Sequence, residues 1–153
     1  MSEAEQRAAV VAEARSWMLT PVLHGAALKG VGVDCGQFIL GVFRNCGLVP
    51  PIDLGSYPPD WFVHRDDDRY QRLVSEFASE TRGSLEPGDV ILFHIGRNYG
   101  HGAIVTKAAP LTIIHAFPPT RVVMEGPLRP NSELLAPKPG RKPPLYFTLW
   151  PKG

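Results

Sequence analysis

Hydrophobic residues in the first half of the chain recur with the spacing of helices. Residues 3 to 18 predict one helix, which we expect to end before Pro21 because a residue that precedes proline disfavours the helical backbone. A second helix of about three turns is predicted from Cys35, because apolar residues follow it at i+3, i+4, i+7, i+8 and i+11. Residues 66 to 80 predict a third helix, with its apolar residues on one face.

Polar and glycine residues define the ends of the second helix. Asp34 is a favoured N-cap residue, and Gln37 three positions later completes a capping-box pattern. Gly47 is typical of the position that follows a last helical turn. The preceding residues 24 to 33 are rich in glycine and predict a loop. Cys35 is therefore predicted to be the first residue of a capped helix.

Short apolar segments in the second half of the chain predict an antiparallel sheet. The predicted strands cover residues 90–95, 102–106, 111–117 and 145–149. Two proline-rich segments predict loops; the second, residues 127–144, holds six prolines and is expected to be an extended surface connection. Helices followed by antiparallel strands indicate an α+β fold, and we expect residues 1–153 to form a single domain.

Composition and charge narrow the possible functions. The 153 residues are 44% hydrophobic and 20% charged, which is typical of a globular protein. A net charge of +1 provides no strong field, so we expect no nucleic-acid partner and no attraction to an anionic membrane. The N-terminal segment is polar and amphipathic, and no apolar run approaches the length of a membrane span. The sequence therefore predicts synthesis in the cytoplasm without a signal peptide, and no membrane insertion.

The two cysteines suit neither a disulfide scaffold nor a zinc ribbon. Cys46 lies about 16 Å from Cys35 by helical rise, which excludes a disulfide within the helix and favours a place in the core. Cys35 has two interpretations, a small buried hydrophobic residue or a nucleophile. At a helix N-terminus the free N–H groups and the helix dipole favour a thiolate, and the same N–H groups could stabilise an oxyanion.

A nucleophilic cysteine needs a base, and the chain has five histidines. Two of them, His101 and His115, lie on neighbouring predicted strands. A hairpin loop centred on Ala108 would place them directly opposite each other on one face of the sheet. One histidine could then act on Cys35 while the other orients it. Each also has a structural interpretation, as a polar strand-end residue for His101 and a hydrogen-bonded core residue for His115.

These residues lie in four segments whose order resembles the NlpC-type cell-wall cysteine peptidases, a branch of the papain-like superfamily. The resemblance extends from about residue 8 to residue 117. Its segments are ARSWMLTP, GVDCGQFILGVFRNCG, LEPGDVILF and the histidine strands GHGAIVT and IIHAF. A further segment, YPPDW, is most similar to the phage and gene-transfer-agent tail members of that family.

The resemblance implies a function and a set of catalytic residues. By that match Cys35 is the nucleophile, His101 the base and His115 the third catalytic residue. The implied reaction is hydrolysis of peptide-stem amide bonds in peptidoglycan, with no metal and no organic cofactor. The implied partners are peptidoglycan stem peptides and phage-tail or gene-transfer-agent proteins, and the implied place of action is the cell wall, as part of a phage-like particle.

Five residues around these are candidates for substrate binding. They are Asp34, Gly36, His24, Trp61 and Gly100. Trp61 could be either a lid over the core or a platform for substrate. The sequence departs from the family pattern at two positions, where Val22 replaces a tyrosine that usually supports the oxyanion region and Gly36 replaces a serine.

Two alternatives to the peptidase stay open at the level of sequence. The same scaffold could serve a toxin-type amidase or an acyltransferase. It could also be a non-catalytic structural component of a phage tail, in which case the Cys35 thiol would behave as an ordinary free cysteine. The proline-rich segment 127–144 could be a docking surface in such an assembly or an inert surface connection.

Overall fold

Three α-helices and an antiparallel sheet make up the part of the chain that the computed structural model describes, residues 1–50 and 69–152. The helices are α1 (Glu3–Arg15), α2 (Cys35–Asn45) and α3 (Arg69–Ser75). The strands are β1 (Ala27–Leu28), β2 (Gly32–Val33), β3 (Ser79–Glu80), β4 (Val90–Ile95), β5 (Asn98–Lys107), β6 (Thr112–Phe117), β7 (Val122–Pro127) and β8 (Leu145–Thr148). No helix in these ranges is long and apolar enough to cross a membrane.

Six strands form the main sheet in the order β3-β8-β4-β5-β6-β7. Each neighbouring pair in it is antiparallel. Strands β1 and β2 pair separately in front of α2. Strand β5 therefore lies near the middle of the main sheet, with β4 on one side and β6 on the other.

Alternate residues of a strand point to opposite sides of a sheet, and both sides of the central strands are buried. One face contributes Leu92, Ile104 and Ile114 to a cluster with the apolar side of α2. The other face carries a second cluster that includes Phe93 and Ile113. This burial explains why β4 and the middle of β5 are continuous apolar runs in the sequence.

A buried arginine joins α1 to the entrance of β4. The guanidinium of Arg7 donates to the Asp89 carboxylate at 2.9 Å and to the Pro87 carbonyl at 2.9 Å. It also lies over the ring of Trp150, 4.3 Å from the centroid. Because the side chain of Arg7 is only 8% exposed, these contacts replace the water that the charge loses on folding.

The structure differs from the predicted elements in several places. The first helix ends at Arg15 instead of residue 18, and the segment 24–33, predicted to be a loop, contains the short paired strands β1 and β2. Strand β7 was not predicted, and its pairing with β6 is what makes it a strand, since Gly126 and Pro127 are poor strand residues. The third helix ends at Ser75 instead of residue 80, and residues 79–80 pair with β8. Strand β5 begins at Asn98, four residues earlier than expected, because it continues directly from the β4–β5 turn.

Candidate active site

The N-terminus of α2 is fixed by one aspartate. Asp34 is the N-cap residue, as predicted, and its Oδ1 accepts a hydrogen bond from the Gln37 N–H at 2.8 Å. Its Oδ2 accepts from the Gly25 N–H at 2.9 Å, so the same carboxylate ties the glycine-rich loop to the helix. This places Cys35 at the first position of α2, where backbone N–H groups lack helical partners.

The Cys35 side chain is 3% exposed and lies among polar groups of β5 and α3. Its thiol is 3.8 Å from the Gly100 carbonyl, to which it can donate. Burial, assisted by the charge of Asp34, raises the pKa of Cys35 to about 12, although hydrogen bonds from the Gly102 backbone, the Tyr70 hydroxyl and the Gly36 backbone oppose the rise. The direction of this pKa shift is opposite to the one expected for a helix N-terminus, because the desolvation of the buried thiol is its largest cause.

His101 and His115 contact each other directly. The distance from His101 Nε2 to His115 Nδ1 is 2.8 Å, so one ring donates a hydrogen bond to the other. Both side chains are buried, with 5% and 9% exposure. The prediction that the two histidines share one face of the sheet is confirmed.

The predicted register between their strands was wrong by two residues. Ile104 pairs with Ile114 and Val105 with Ile113, so that His115 is diagonal to His101 and not directly opposite. The cause is local: the ladder is irregular between Val105 and Lys107, which moves the turn towards β6. A displacement of two residues keeps both side chains on the same face.

Aromatic rings surround the histidine pair and keep it uncharged. The rings of His115 and Phe117 stack with centroids 4.6 Å apart, and Phe93 stacks on His101 at 6.0 Å. Burial lowers the pKa of His115 to about 4. Burial, with a smaller contribution from His115, lowers the pKa of His101 well below its ordinary value. Near neutral pH the site therefore holds a thiol and two neutral imidazoles.

Cys35 and His101 open into one cavity of about 300 Å³. Gly100 of β5, whose carbonyl faces the thiol, lines the cavity as well. The opposite wall comes from the connection between β7 and β8, through Glu133, Leu134, Lys138 and Arg141. These four residues were not identified from the sequence, because nothing in the local pattern indicates which part of the sheet a long connection covers.

Tyr70 is a second site residue that the sequence did not indicate. It was assigned only to the apolar face of the third helix, yet its hydroxyl donates to the Cys35 carbonyl at 3.1 Å. A Cβ at Gly36 would lie 3.3 Å from the Tyr70 ring, and one at Gly102 would lie 2.7 Å from its hydroxyl. Glycine at position 36 therefore makes room for Tyr70 and does not leave open space beside the thiol.

The five predicted substrate-binding residues are found in different environments. Gly100 lines the cavity, whereas Asp34 and Gly36 are buried behind the thiol. His24 is exposed in the loop before β1 and is not among the residues that line the cavity. Trp61 lies outside the described residues. Within residues 1–50 and 69–152, no group of three or more His, Cys, Asp or Glu side chains could hold a metal ion.

A helix that begins at a buried cysteine packs on an antiparallel sheet that carries a histidine pair, which is the α+β arrangement that the sequence predicts. The chain is similar to the NlpC/p60 domain of the peptidoglycan hydrolase SagA, with 22% identity over 93% of this chain and 97% of that chain and a TM-score of 0.60. It is also similar to the peptidoglycan hydrolase RipB from Mycobacterium tuberculosis, with 16% identity over 99% of this chain and 70% of that chain and a TM-score of 0.63.

A third structure extends the same likeness. The P60 domain of an antigen from M. avium subspecies paratuberculosis has 18% identity over 93% of both chains and a TM-score of 0.55. No protein-family model matches the chain, and no curated protein sequence matches it significantly. The fold is therefore that of the NlpC/p60 domains, and the function has to be argued from the site.

Proposed function

We propose that the protein is a cysteine peptidase that hydrolyses peptide-stem amide bonds of bacterial peptidoglycan. The observation that carries this proposal is that Cys35 and His101 line one cavity and that His101 is bonded to His115 at 2.8 Å. A nucleophile, a base and a group that orients the base are the minimum for covalent amide hydrolysis. The fold of solved peptidoglycan hydrolases supports the choice of substrate.

The neutral state of the site dictates how the thiol is activated. His101 Nε2 is engaged by His115, which leaves Nδ1 of His101 to accept the Cys35 proton. Nε2 of His101 then carries the ring proton and donates to His115 Nδ1, so that His115 fixes the tautomer of the base. As the sulfur attacks the amide carbonyl, the thiol proton moves to His101, and the imidazolium that forms gives a proton to the leaving amine. A water that loses its proton to His101 hydrolyses the thioester and regenerates the thiol.

The first turn of α2 can stabilise the charge that develops on the attacked oxygen. Asp34 already accepts from the Gln37 N–H, so the N–H group of Cys35 and that of Gly36, which also donates to the sulfur, can serve at the end of the helix. They lie beside the reacting sulfur, where an oxyanion would form.

Digestion of purified peptidoglycan, followed by mass spectrometry of the muropeptides, tests the proposal. We expect the wild-type protein to cleave stem peptides with addition of one water, and Cys35→Ala to lose about 10⁴-fold or more in rate because the nucleophile is gone. Cys46→Ala is the matched control, since Cys46 lies at the other end of α2 and its thiol faces the Ala9 carbonyl. Normal digestion by Cys35→Ala would overturn the proposal, and transfer of the stem peptide to another amine would indicate the acyltransferase.

We also propose that the enzyme acts at the cell wall as part of a phage-like particle. The support is the YPPDW segment, residues 57–61, and its resemblance to tail proteins; the segment lies outside the described residues. Mass spectrometry of purified particles should detect the protein together with tail components, and its absence from them would contradict this placement.

A further inference from the structure

The connection between β7 and β8 forms part of the cavity wall. We call residues 128–144 the strap. Leu134 of the strap is 6% exposed and belongs to the apolar cluster on the histidine face of the sheet. The Leu128 N–H donates to the Leu111 carbonyl at 2.8 Å, which fixes the start of the strap at the end of the β5–β6 hairpin. The strap is therefore held against the sheet next to His101, and its polar residues have defined positions there.

Arg141 is held in place by the strap itself. Its Nη1 donates to the Glu133 carbonyl at 2.8 Å and to the Ala136 carbonyl at 2.9 Å. A guanidinium has five N–H donors, so this leaves the donors on Nη2 and Nε for another partner. Because its orientation is set beforehand, Arg141 can bind an anion with little further loss of side-chain entropy.

Lys138 brings a second positive charge to the same cavity. It is exposed between Pro137 and Pro139, whose rings restrict the backbone on both sides. Among the ion pairs of residues 1–50 and 69–152, none includes Lys138 or Arg141. Within the described part of the chain, the two cations therefore line the cavity that contains the thiol without forming an ion pair to a carboxylate.

We propose that Lys138 and Arg141 form a subsite that binds a carboxylate of the peptide substrate close to the amide that is cleaved, an inference that rests on the proposed peptidase function. Arginine and carboxylate form paired hydrogen bonds in a fixed geometry. Glu133 lines the same cavity, so the strap contributes two positive charges and one negative charge. This balance suits a peptide carboxylate better than a polyanion such as a polyphosphate.

Two peptides that differ in one group test the subsite. Both carry the same cleavable stem sequence; one has a free carboxylate beside the scissile amide and the other a carboxamide. We expect the wild-type kcat/KM to be about 10- to 100-fold higher for the carboxylate peptide, because hydrogen bonds to a charged group are stronger than those to a neutral one. The Lys138→Gln/Arg141→Gln protein should lose that preference, so that its ratio of kcat/KM values for the two peptides falls to about one.

The strap supplies a matched control. Lys142→Gln removes the same charge from a neighbouring exposed residue that is not among those lining the cavity, and it should leave both rates unchanged. Lys138→Glu serves if the double variant does not fold, since Lys138 is exposed, and it should reverse part of the preference. Equal wild-type rates on the two peptides, or an equal loss on both in the double variant, would overturn the subsite while leaving the peptidase standing.

A binding measurement separates this inference from the proposed function. Calorimetric titration of Cys35→Ala protein with the two peptides should show the same 10- to 100-fold preference in Kd. If the wild-type protein cleaves neither peptide, the proposed function has failed, and the titration still decides whether the cations bind a carboxylate. Equal Kd values would overturn the subsite.

Discussion

The Cys35 thiol is surrounded by hydrogen-bond donors and is nevertheless shielded from water. Its pKa is raised to about 12, and the neighbouring imidazoles are neutral because burial lowers their pKa values. A thiolate–imidazolium pair is therefore not the resting state of the site. In the proposed mechanism the charge appears only while the thiol proton moves to His101, so the donors around the sulfur would act on a charge that exists during reaction and not before it.

The rate at which Cys35 is alkylated measures directly whether its thiol is ionised in the resting protein. Since the thiolate is the nucleophile and the pKa of Cys35 is about 12, the rate with iodoacetamide should rise about tenfold per pH unit from pH 7 to 10, without a plateau. Mass spectrometry of the Cys35 peptide in the Cys46→Ala background gives the rate without interference from the second thiol. A plateau already reached near pH 7 would show that a thiolate–imidazolium pair exists in the free enzyme.

At the scale of elements, two glycines let α2, α3 and β5 meet around the thiol. Tyr70 of α3 lies between Gly36 of α2 and Gly102 of β5, and its hydroxyl reaches the Cys35 carbonyl. Neither glycine needs an unusual backbone conformation; what each provides is the absence of a side chain. The site is thus assembled by close approach of three elements that are distant in sequence.

The change Gly102→Ala tests this packing. The added methyl group would lie 2.7 Å from the Tyr70 hydroxyl and 2.8 Å from Ile39 Cδ1, so the side chains of Tyr70 and Ile39 must shift. We expect the free energy of unfolding to fall by about 1–3 kcal/mol. The rate of peptide cleavage should fall by more than this loss of folded protein alone would cause, because the reacting groups are displaced.

Gly126→Ala is the control for this change, because position 126 is also in a strand and a Cβ there has no neighbour within 4 Å. Urea denaturation of the two variants should differ by at least about 1 kcal/mol. Equal stability of both would contradict the packing described for Gly102.

The same comparison of elements shows what local sequence can predict. The start of α2, its Asp34 cap and its buried face follow from patterns within a dozen residues, and these predictions are confirmed. Strand β7 depends on its pairing with β6, and the register of His115 depends on the pairing of β6 with β5. Local sequence patterns have little influence on either pairing. Tyr70 and the strap reach the site only through tertiary packing, so the sequence indicates the cysteine and the histidine pair but not the residues around them.

At the scale of the whole molecule, the histidine pair lies on the face of the sheet opposite to the one that packs against α2. His101 and His115 are packed among Phe93 and Phe117, next to the apolar cluster that Leu134 covers. A proton added to either imidazole would place a charge in this apolar region. The proposed catalysis requires a charged imidazole for a short time, whereas the folded state is more stable when both imidazoles are neutral. The free energy of unfolding should therefore depend on pH.

This linkage predicts a loss of stability in mild acid. His115 has a pKa of about 4 in the folded protein, against about 6.5 in an unfolded chain. The unfolded state therefore binds more protons below pH 6.5, and the free energy of unfolding should fall by about 2–3 kcal/mol between pH 6.5 and pH 4 through His115 alone. His101, whose pKa is also lowered, acts in the same direction.

Urea denaturation of wild-type and His115→Asn proteins over this pH range provides the measurement. Asparagine does not titrate and offers a side-chain oxygen to His101 Nε2, so the variant should lose less stability than the wild type as the pH falls. Carboxylates such as Asp34 and Asp89 are the same in both proteins, and their contribution cancels in the difference. Identical pH slopes would mean that His115 is not held in its neutral form by the fold, and the general-base activation of Cys35 would lose its physical basis.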